Sequence, residues 1–311
     1  MTTQPKPPDD RIDPSLRAIM GERRQLINLA YRFLGSLADA EDVVQETYTR
    51  WYAMSPQQRG SIASPGGWLT TVASRICLDL LGSARLRRES YVGEWIPEPL
   101  PDETEWLNGR SADLSVDPAD RVTLDETINM AFLVVLESTT PAERVAFILH
   151  DVFRYPFAEV AEIIRRTPAA CRQLASSARR RILASQAGAS STTQRAVVVR
   201  DFKEAWEAKD IDALIALLDP DATATADSGG LARARLLPIS GAERIARYAV
   251  EVAAMAPDLM LLERTVNGQP GLAGQQDGVT VLVVAVDVAD ERIKHIWAVR
   301  NPEKLRSWTM G

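Results

Sequence analysis

Apolar residues recur at every third or fourth position through most of residues 15–90, a period that predicts helices. A first helix is predicted at about 16–34 and a second at 39–53. The inward stripe of the second consists of Val43, Val44, Thr47, Tyr48, Trp51 and Tyr52. A third helix is predicted at 66–82, with inward residues Trp68, Leu69, Val72, Ala73, Ile76, Cys77 and Leu80. These segments predict an all-α domain over 15–90.

The helical pattern stops in a linker at 91–118. Pro97, Pro99 and Pro101 favour extended backbone, so this stretch cannot continue a helix. Helices are predicted to resume at about 119–137, 141–152, 156–164 and 168–184. These predict a second all-α domain over 119–185.

The last two of these helices meet at a tight junction over 165–168. Thr167 suits an N-cap and Pro168 suits the first helical turn, where its missing N–H costs nothing. The inward side of the second helix consists of Cys171, Leu174, Ala175, Ala178 and Ile182. Its outward side consists of Arg172, Gln173, Ser176, Arg179 and Arg180. An exposed helix with arginines and an amide, docked on a shorter helix, is what reading a DNA major groove requires. The alternative is an ordinary helical hairpin with a solvated basic face.

The pattern changes after residues 186–194, which are small and polar and predict a flexible hinge. Helices are then predicted at 195–208, 210–218 and 241–255, and strands at 221–227, 231–238, 258–267, 278–287 and 292–300. Helices followed by a run of antiparallel strands predict an α+β domain over 195–311. The predicted fold class is therefore multidomain: two all-α domains followed by an α+β domain, with a disordered, proline-rich N-terminus at 1–14.

Charge is sorted along the chain, although the net charge of the 311 residues is only −6. Residues 102–126 hold eight acidic residues against Arg110 and Arg121, whereas residues 165–181 hold six arginines and no acid. Local charge steers binding to phosphate, so the basic segment suits a nucleic acid. The acidic segment could follow a basic channel of a partner, mask the basic segment, or be only a soluble spacer.

Cysteine and histidine are too sparse for a metal or disulfide framework. The chain has two cysteines, Cys77 and Cys171, and two histidines, His150 and His295, without spaced partners. This usage suits a reducing cytosol, and Cys171 is expected to be a small core residue. No signal peptide and no apolar run of about 18 residues is present, so no contact with a membrane is expected.

The order of the elements resembles the extracytoplasmic-function (ECF) sigma factors of the sigma-70 family. The residues that carry the resemblance are AEDVVQETYTRWY at 40–52, GGWLTTVASRICLDLLGSARLRR at 66–88 and the helix–turn–helix segment at 140–182. The linker WIPEP at 95–99 and the motifs starting at Asp227 and Asn301 are similar to those of ECF factors of the SigJ type, which carry a C-terminal SnoaL-like extension. Ser228 and Leu231 stand where that type has a glycine and a basic residue.

The resemblance implies three functional surfaces on the helical domains. Core RNA polymerase, through its β′ clamp and β flap, is the implied protein partner, and the core-binding residues are Asp39, Asp42, Gln45 and Glu46. The single-stranded −10 promoter element is implied to contact Trp68, Thr71, Ser74, Arg75, Asp79, Arg85, Arg87 and Arg88. The −35 duplex is implied to contact Arg165, Arg166, Thr167, Arg172, Gln173, Ser176, Arg179 and Arg180. Taken alone, the acidic helix 39–53 could be a solvated face, and Trp68 could serve core packing.

For the C-terminal domain the resemblance implies a SnoaL-like or NTF-like cone with a regulatory, non-enzymatic role, no cofactor, and a possible unknown small ligand. The implied inter-domain residues are Trp95, Pro97, Glu98, Pro99, Asp227, Ser228, Gly229, Gly230, Asn301 and Pro302.

Two other functions stay open from the residues. One is a cyclase or isomerase fused to a DNA-binding segment, for which Asp219, Asp221, Asp227 and Tyr248 could supply polar groups in a pocket. The other is a ligand-responsive repressor, which would bind duplex operators as a dimer without polymerase.

Overall fold

The structure is a computed structural model that describes residues 14–89, 93–101, 128–185, 190–230 and 238–309. Within the first range, side chains are described from residue 22 to residue 83. Several predictions lie outside the described residues: the disordered N-terminus, the side chains of Arg85, Arg87 and Arg88, the acidic segment at 102–126 and most of the strand predicted at 231–238.

The first group of helices comprises α1 (Pro14–Leu34), α2 (Leu37–Ala53), α3 (Pro56–Gly60) and α4 (Pro65–Glu89). Ser36 caps α2, because its hydroxyl accepts the N–H of Asp39 at 3.2 Å. The buried residues of α2 are Ala40, Val43, Val44, Thr47 and Trp51. The inward position predicted for Tyr52 is wrong. This side chain is 57% exposed, because it points about one-third of a turn away from Trp51 and lies beside Arg59.

The second group comprises α5 (Met130–Glu137), α6 (Pro141–Phe147), a π-helical turn (Ile148–Val152), α7 (Phe157–Ile164) and α8 (Pro168–Ser185). The two groups share one continuous hydrophobic core. Buried Arg144 of α6 joins them, because it donates to the carbonyl of Phe33 at 2.7 Å and to that of Leu136 at 2.6 Å. It also pairs with the Glu137 carboxylate at 2.8 Å. The helices predicted as two domains therefore pack as one helical unit.

The C-terminal domain begins with α9 (Thr192–Ala208) and α10 (Ile211–Leu217), and α11 (Ala242–Met255) lies between its strands. The strands are β1 (Leu218–Asp227), β2 (Ile239–Ser240), β3 (Met260–Val266), β4 (Gln269–Gln276), β5 (Val279–Ala289) and β6 (Arg292–Val299). They form a six-stranded sheet in the order β2-β1-β6-β5-β4-β3. β1 and β6 are parallel, and the other neighbouring pairs are antiparallel. A 3₁₀ helix (Pro302–Trp308) follows β6.

Strand β4 was not predicted, because Pro270, Gly271, Gly274 and several glutamines give it a low strand propensity. It follows a two-residue turn, in which Asn267 has φ 51° and Gly268 has φ 73°. Positive φ at both central residues suits the twist of a tight hairpin. A Cβ at Gly271 would lie 2.6 Å from the carbonyl oxygen of Val284, so glycine is needed where β4 approaches β5.

The two faces of the sheet pack against different parts of the chain. One face packs on α9, α10 and α11 and forms the core of the C-terminal domain. The other face packs on the linker residue Ile96 and on Met130 of α5 through Val266, Val283 and Trp297. The sheet therefore separates the interior of its own domain from a junction with the helical unit. None of the described helices is both long and apolar enough to cross a membrane.

Candidate nucleic-acid interface and domain junction

Helix α8 presents a basic surface at the position that the sequence predicts. Helix α7 ends at Arg165 in the left-handed conformation, with φ 58°, and the Thr167 hydroxyl then accepts the N–H of Ala170 at 3.2 Å. The buried side of α8 consists of Cys171, Ala175, Ala178 and Ile182. All eight residues predicted for the −35 surface are exposed: Arg165, Arg166, Thr167, Arg172, Gln173, Ser176, Arg179 and Arg180.

Two of these arginines have partners within the chain. Arg179 Nε donates to the Asp151 carboxylate at 2.9 Å, and the Arg172 guanidinium lies 5.9 Å from the centroid of the Phe157 ring. The ring restricts Arg172 without using its hydrogen-bond donors. The hydrogen-bond donors of Arg172 are therefore not used by this contact, whereas Arg179 is held by Asp151.

The predicted acidic face of α2 is also accessible. Asp42, Gln45 and Glu46 are exposed, and Asp39 in the first turn is partly buried. Glu46 pairs with Arg50 of the same helix at 2.8 Å, an exposed ion pair of the kind that contributes little to stability. The face can therefore exchange this internal pair for a basic partner.

Helix α4 supports only part of the predicted −10 surface. Asp79 is exposed, Thr71 is partly buried, and Trp68 is partly buried against Trp51 with their ring centroids 5.3 Å apart. The DNA contact predicted for Ser74 is wrong in this arrangement. Its side chain is 0% exposed, because it lies one turn after buried Thr70 on the inward side of the helix.

Helix α7 covers another part of this surface. Arg75 of α4 donates through Nη2 to the carbonyl of Glu162 in α7 at 3.0 Å. Just before α7, the Tyr155 hydroxyl donates to Thr70 of α4 at 3.1 Å. The predicted −10 surface and the helix–turn–helix are therefore in direct contact.

The linker residues 95–101 lie between the helical unit and the C-terminal domain, and Pro101 forms an isolated antiparallel bridge with Val266. On the helical side, the N–H of Glu98 donates to the carbonyl of Gly35 at 2.8 Å. The Glu98 carboxylate accepts a hydrogen bond from the N–H of Leu37 at 2.8 Å. The backbone carbonyl of Glu98 accepts one from the Tyr31 hydroxyl at 2.7 Å. Gly35 has φ 67°, and a Cβ there would lie 2.8 Å from the Trp95 ring.

On the other side, the buried carboxylate of Asp227 binds the linker. It accepts the N–H of Ile96 at 3.1 Å and pairs with Lys304 Nζ at 2.6 Å. The same ammonium donates to the carbonyl of Ile96 and lies 4.2 Å from the Trp95 ring centroid. A buried carboxylate requires such partners, so linker, β1 and the 3₁₀ helix are held together at one point.

The hairpin between β3 and β4 makes a second set of contacts. Fully buried Asn267 accepts the N–H of Leu100 at 3.0 Å through its side chain and donates its own N–H to the Leu100 carbonyl at 2.9 Å. Its amide nitrogen also donates to the Tyr31 hydroxyl at 2.8 Å. Beside the hairpin, Trp308 of the 3₁₀ helix donates its Nε1–H to the Pro99 carbonyl at 2.8 Å. The hairpin therefore contacts the linker and α1 together.

The structure brings most of the predicted inter-domain residues to this junction. Trp95, Pro97, Glu98 and Pro99 line it from the linker, and Asp227, Ser228 and Asn301 are buried beside it. Gly229 packs against the Asn301 side chain. Asp227 contacts Ile96 and Lys304 with Ser228 as its neighbour, so this serine does not prevent the contact. Gly230 and Pro302 are exposed.

Sequence reasoning missed Tyr31, Gly35, Asn267, Lys304 and Trp308. An Asn-Gly pair after a predicted strand is the hairpin signal that would have located Asn267 at a turn. Lys304 belongs to the motif that starts at Asn301. Its position next to apolar Leu305 was the available signal that this lysine lies at the junction.

A cavity of about 380 Å³ lies on the opposite face of the sheet, enclosed by α9, α11 and the strands. Tyr248 lines it, as predicted, but Asp219, Asp221 and Asp227 do not. The prediction that these carboxylates serve a pocket is therefore wrong. Asp221 is exposed, Asp219 lies 3.9 Å from Lys294, and Asp227 faces the junction.

Burial and the distribution of charge shift the pKa of Glu98. Desolvation raises the pKa of this carboxyl from its ordinary value near 4.5 to about 7, despite the hydrogen bond from Leu37 and the charge of Lys304. The carboxyl therefore titrates near neutral pH when the linker is docked.

Two sequence families match the helical unit: "Sigma-70 region 2" matches residues 19–87, and "Sigma-70, region 4" matches residues 130–182. The chain is 39% identical to the ECF RNA polymerase sigma factor SigJ of Mycobacterium tuberculosis over 296 residues, which cover 91% of this chain and 90% of SigJ. It is 36% identical to the probable ECF RNA polymerase sigma factor SigI of the same species, over 94% of this chain and 95% of SigI. The crystal structure of M. tuberculosis SigJ superposes with a TM-score of 0.72 at 33% identity, over 94% of this chain and 98% of that one.

We predict that docking of the linker weakens as pH rises. The docked pKa of Glu98 is above its ordinary value, so its contribution is fully present below about pH 4.5 and is lost as pH rises through about 7. The full shift corresponds to about 3 kcal/mol. Hydrogen exchange of the Ile96 and Leu100 amides, corrected for intrinsic rates, should become faster from pH 5 to pH 8. Glu98→Gln should flatten this dependence, and parallel curves for the two proteins would contradict the assignment.

Proposed function

This chain belongs to the ECF RNA polymerase sigma factors of the sigma-70 family, and we propose that its C-terminal domain restrains the promoter-binding activity of the helical unit. The observation that carries the proposal is the junction at Asp227, which ties the linker between the two DNA-binding segments to the C-terminal sheet.

The proposed surface for core RNA polymerase is the acidic face of α2. Asp42, Gln45 and Glu46 form its exposed part, and Asp39 lies at its edge. The rigid helix and its negative charge support a contact with a basic groove of the β′ clamp. The region that includes α8 is proposed to contact the β flap, as the family resemblance implies.

The proposed −35 surface is the exposed side of α8. Arginine presents a fork of donors that matches guanine, and Gln173 can pair with adenine, so Arg172 and Gln173 are proposed to read bases. Ser176, Arg179 and Arg180 are proposed to complete this surface. Arg165, Arg166 and Thr167 lie at the turn and are proposed to contact phosphates, which set the register.

The proposed −10 surface is the remaining part of α4 and its basic end: Trp68, Thr71, Arg75, Asp79, Arg85, Arg87 and Arg88. Aromatic stacking and arginine contacts with phosphates are the usual means of holding a single strand.

The contact between α4 and α7 supports the view that this arrangement is inactive. The −35 and −10 elements are, by their names, about 25 base pairs apart, or about 85 Å along B-DNA. The surfaces proposed to contact them touch each other through Arg75 and Glu162 at 3.0 Å. The helical unit must therefore open before both elements are bound, and the docked linker opposes that opening.

Reconstitution with core RNA polymerase tests the function. We expect specific transcripts from a subset of a promoter pool when the full chain is added to the core enzyme, and none when either is used alone. If the chain forms no complex with the core enzyme but binds promoter duplexes as a dimer, the sigma function is contradicted and a repressor is favoured.

Substitution of Arg172 tests base reading by α8. We expect Arg172→Ala to cost about 1–3 kcal/mol on the preferred −35 sequence, and almost nothing on a site mutated at the base that Arg172 contacts. Arg165→Ala is the matched control, because loss of a phosphate contact should weaken all sequences alike. Binding titrations of the polymerase complex on the two sites measure both effects. An equal loss for Arg172→Ala on both sites would contradict base reading.

Substitution of Lys304 tests the restraint. Lys304→Met leaves the buried Asp227 carboxylate without its cation, which should weaken docking by about 3–5 kcal/mol. We expect at least a threefold increase in promoter-specific transcripts at limiting protein, together with faster exchange of the Ile96 amide. Lys294→Met is the control, because Lys294 is partly exposed and its acidic partners are 3.6 and 3.9 Å away. Unchanged or reduced transcription with a faster Ile96 amide would contradict restraint.

A further inference from the structure

The cavity of the C-terminal domain has an unusual composition for an enzyme pocket. It is lined mainly by apolar side chains from α9, α11 and the sheet. Among the described residues, the polar side chains in its lining are Thr225, Tyr248, Gln276 and Arg300, and no acidic residue or histidine is included. Its volume of about 380 Å³ is within the range of small-molecule sites.

Among the described residues of this lining, Arg300 is the single charged one. Within the described part of the chain, its guanidinium has no hydrogen bond and no ion pair, although the residue is partly buried. A cation that faces an apolar space without a counter-ion is costly, so an anion delivered to this position would be favourable. Thr225, Tyr248 and Gln276 offer neutral hydrogen-bonding groups in the same lining.

The entrance is also apolar. Met255, at the end of α11, lines the cavity and is 73% exposed. An exposed methionine at the rim of an apolar cavity is an adaptable surface for a hydrocarbon chain.

We propose that this cavity binds a small molecule with an apolar body and one anionic group, which Arg300 anchors. The apolar lining takes the body of the ligand, and the Arg300 guanidinium selects a carboxylate over a neutral or cationic head group. The proposal names the ligand class of the regulatory domain and rests on the proposed function only for its effect on transcription.

Two strands connect the cavity with the junction. Ala226 lines the cavity, and the next residue of β1 is Asp227, which holds the linker. The backbone N–H of Arg300 donates to the Asp227 carbonyl at 2.7 Å. A ligand that moves Arg300 therefore acts on the residue that binds Ile96, and it shifts docking if its affinity differs between the docked and undocked states.

Calorimetric titration of the full chain with three probes of equal length tests the ligand class: decanoate, decanol and decylamine, each below its micellar concentration. We expect decanoate to bind at least tenfold more tightly than decanol, and decylamine not to bind. Arg300→Gln should make decanoate and decanol equal, whereas Arg300→Lys should keep the preference. Arg292→Gln, an exposed arginine on β6, is the matched control and should behave as the wild type.

Three outcomes overturn the proposal: no binding of decanoate, equal affinity of the wild type for decanoate and decanol, or decanoate affinity that Arg300→Gln does not change. Circular dichroism of each variant checks that it is folded. The titration contains no polymerase, so its failure leaves the sigma function untouched, and a failed reconstitution leaves the ligand site untouched.

Discussion

The carboxylate of Asp227 is the point on which the arrangement of the domains depends. It is buried, and its two oxygens accept hydrogen bonds from the ammonium of Lys304 and from the N–H groups of Ile96 and Gly229. A buried charge is tolerated only while its partners are present, because each lost partner leaves a desolvated group without compensation. The partners of Asp227 come from the linker, from its own loop and from the 3₁₀ helix. Partial docking of the linker is therefore unfavourable, and the junction is expected to form or break as a unit.

The sequence predicted well which side of each helix is buried. It predicted poorly the contacts between residues that are far apart in the chain. Helical periodicity reports which side of a helix is buried, and the five residues predicted on the outward side of α8 are all exposed. The same rule failed for Tyr52, which lies at the edge of its stripe. The DNA contact predicted for Ser74 came from the family resemblance and not from periodicity, and this side chain is buried. Strand β4 was missed because its burial comes from pairing with β3 and β5 and not from its own residues.

The junction was only partly predictable, because its polar contacts join residues that no local pattern relates. Tyr31 and Asn267 are 236 residues apart. Local patterns would identify Tyr31 only as a core aromatic residue and Asn267 only as a turn residue. Periodicity cannot show that the hydroxyl of one completes the hydrogen bonds of the other. Motif resemblance supplied Trp95, Glu98 and Asp227, but it did not supply the helical residues that receive the linker.

The position of Glu98 links the junction to the surface proposed for polymerase. Its carboxylate accepts the N–H of Leu37, the first residue of α2, so the linker acts as an additional cap at the positive end of that helix. Asp39 lies in the same first turn and Asp42 follows it, so a basic partner groove on this face would place cations close to Glu98. Such cations favour the ionised form of this carboxyl, which is the form that burial in the junction opposes. Cations of a partner at this position would offset part of the desolvation cost that raises the pKa of Glu98, so a contact on α2 and the docking of the linker would be coupled through this carboxyl.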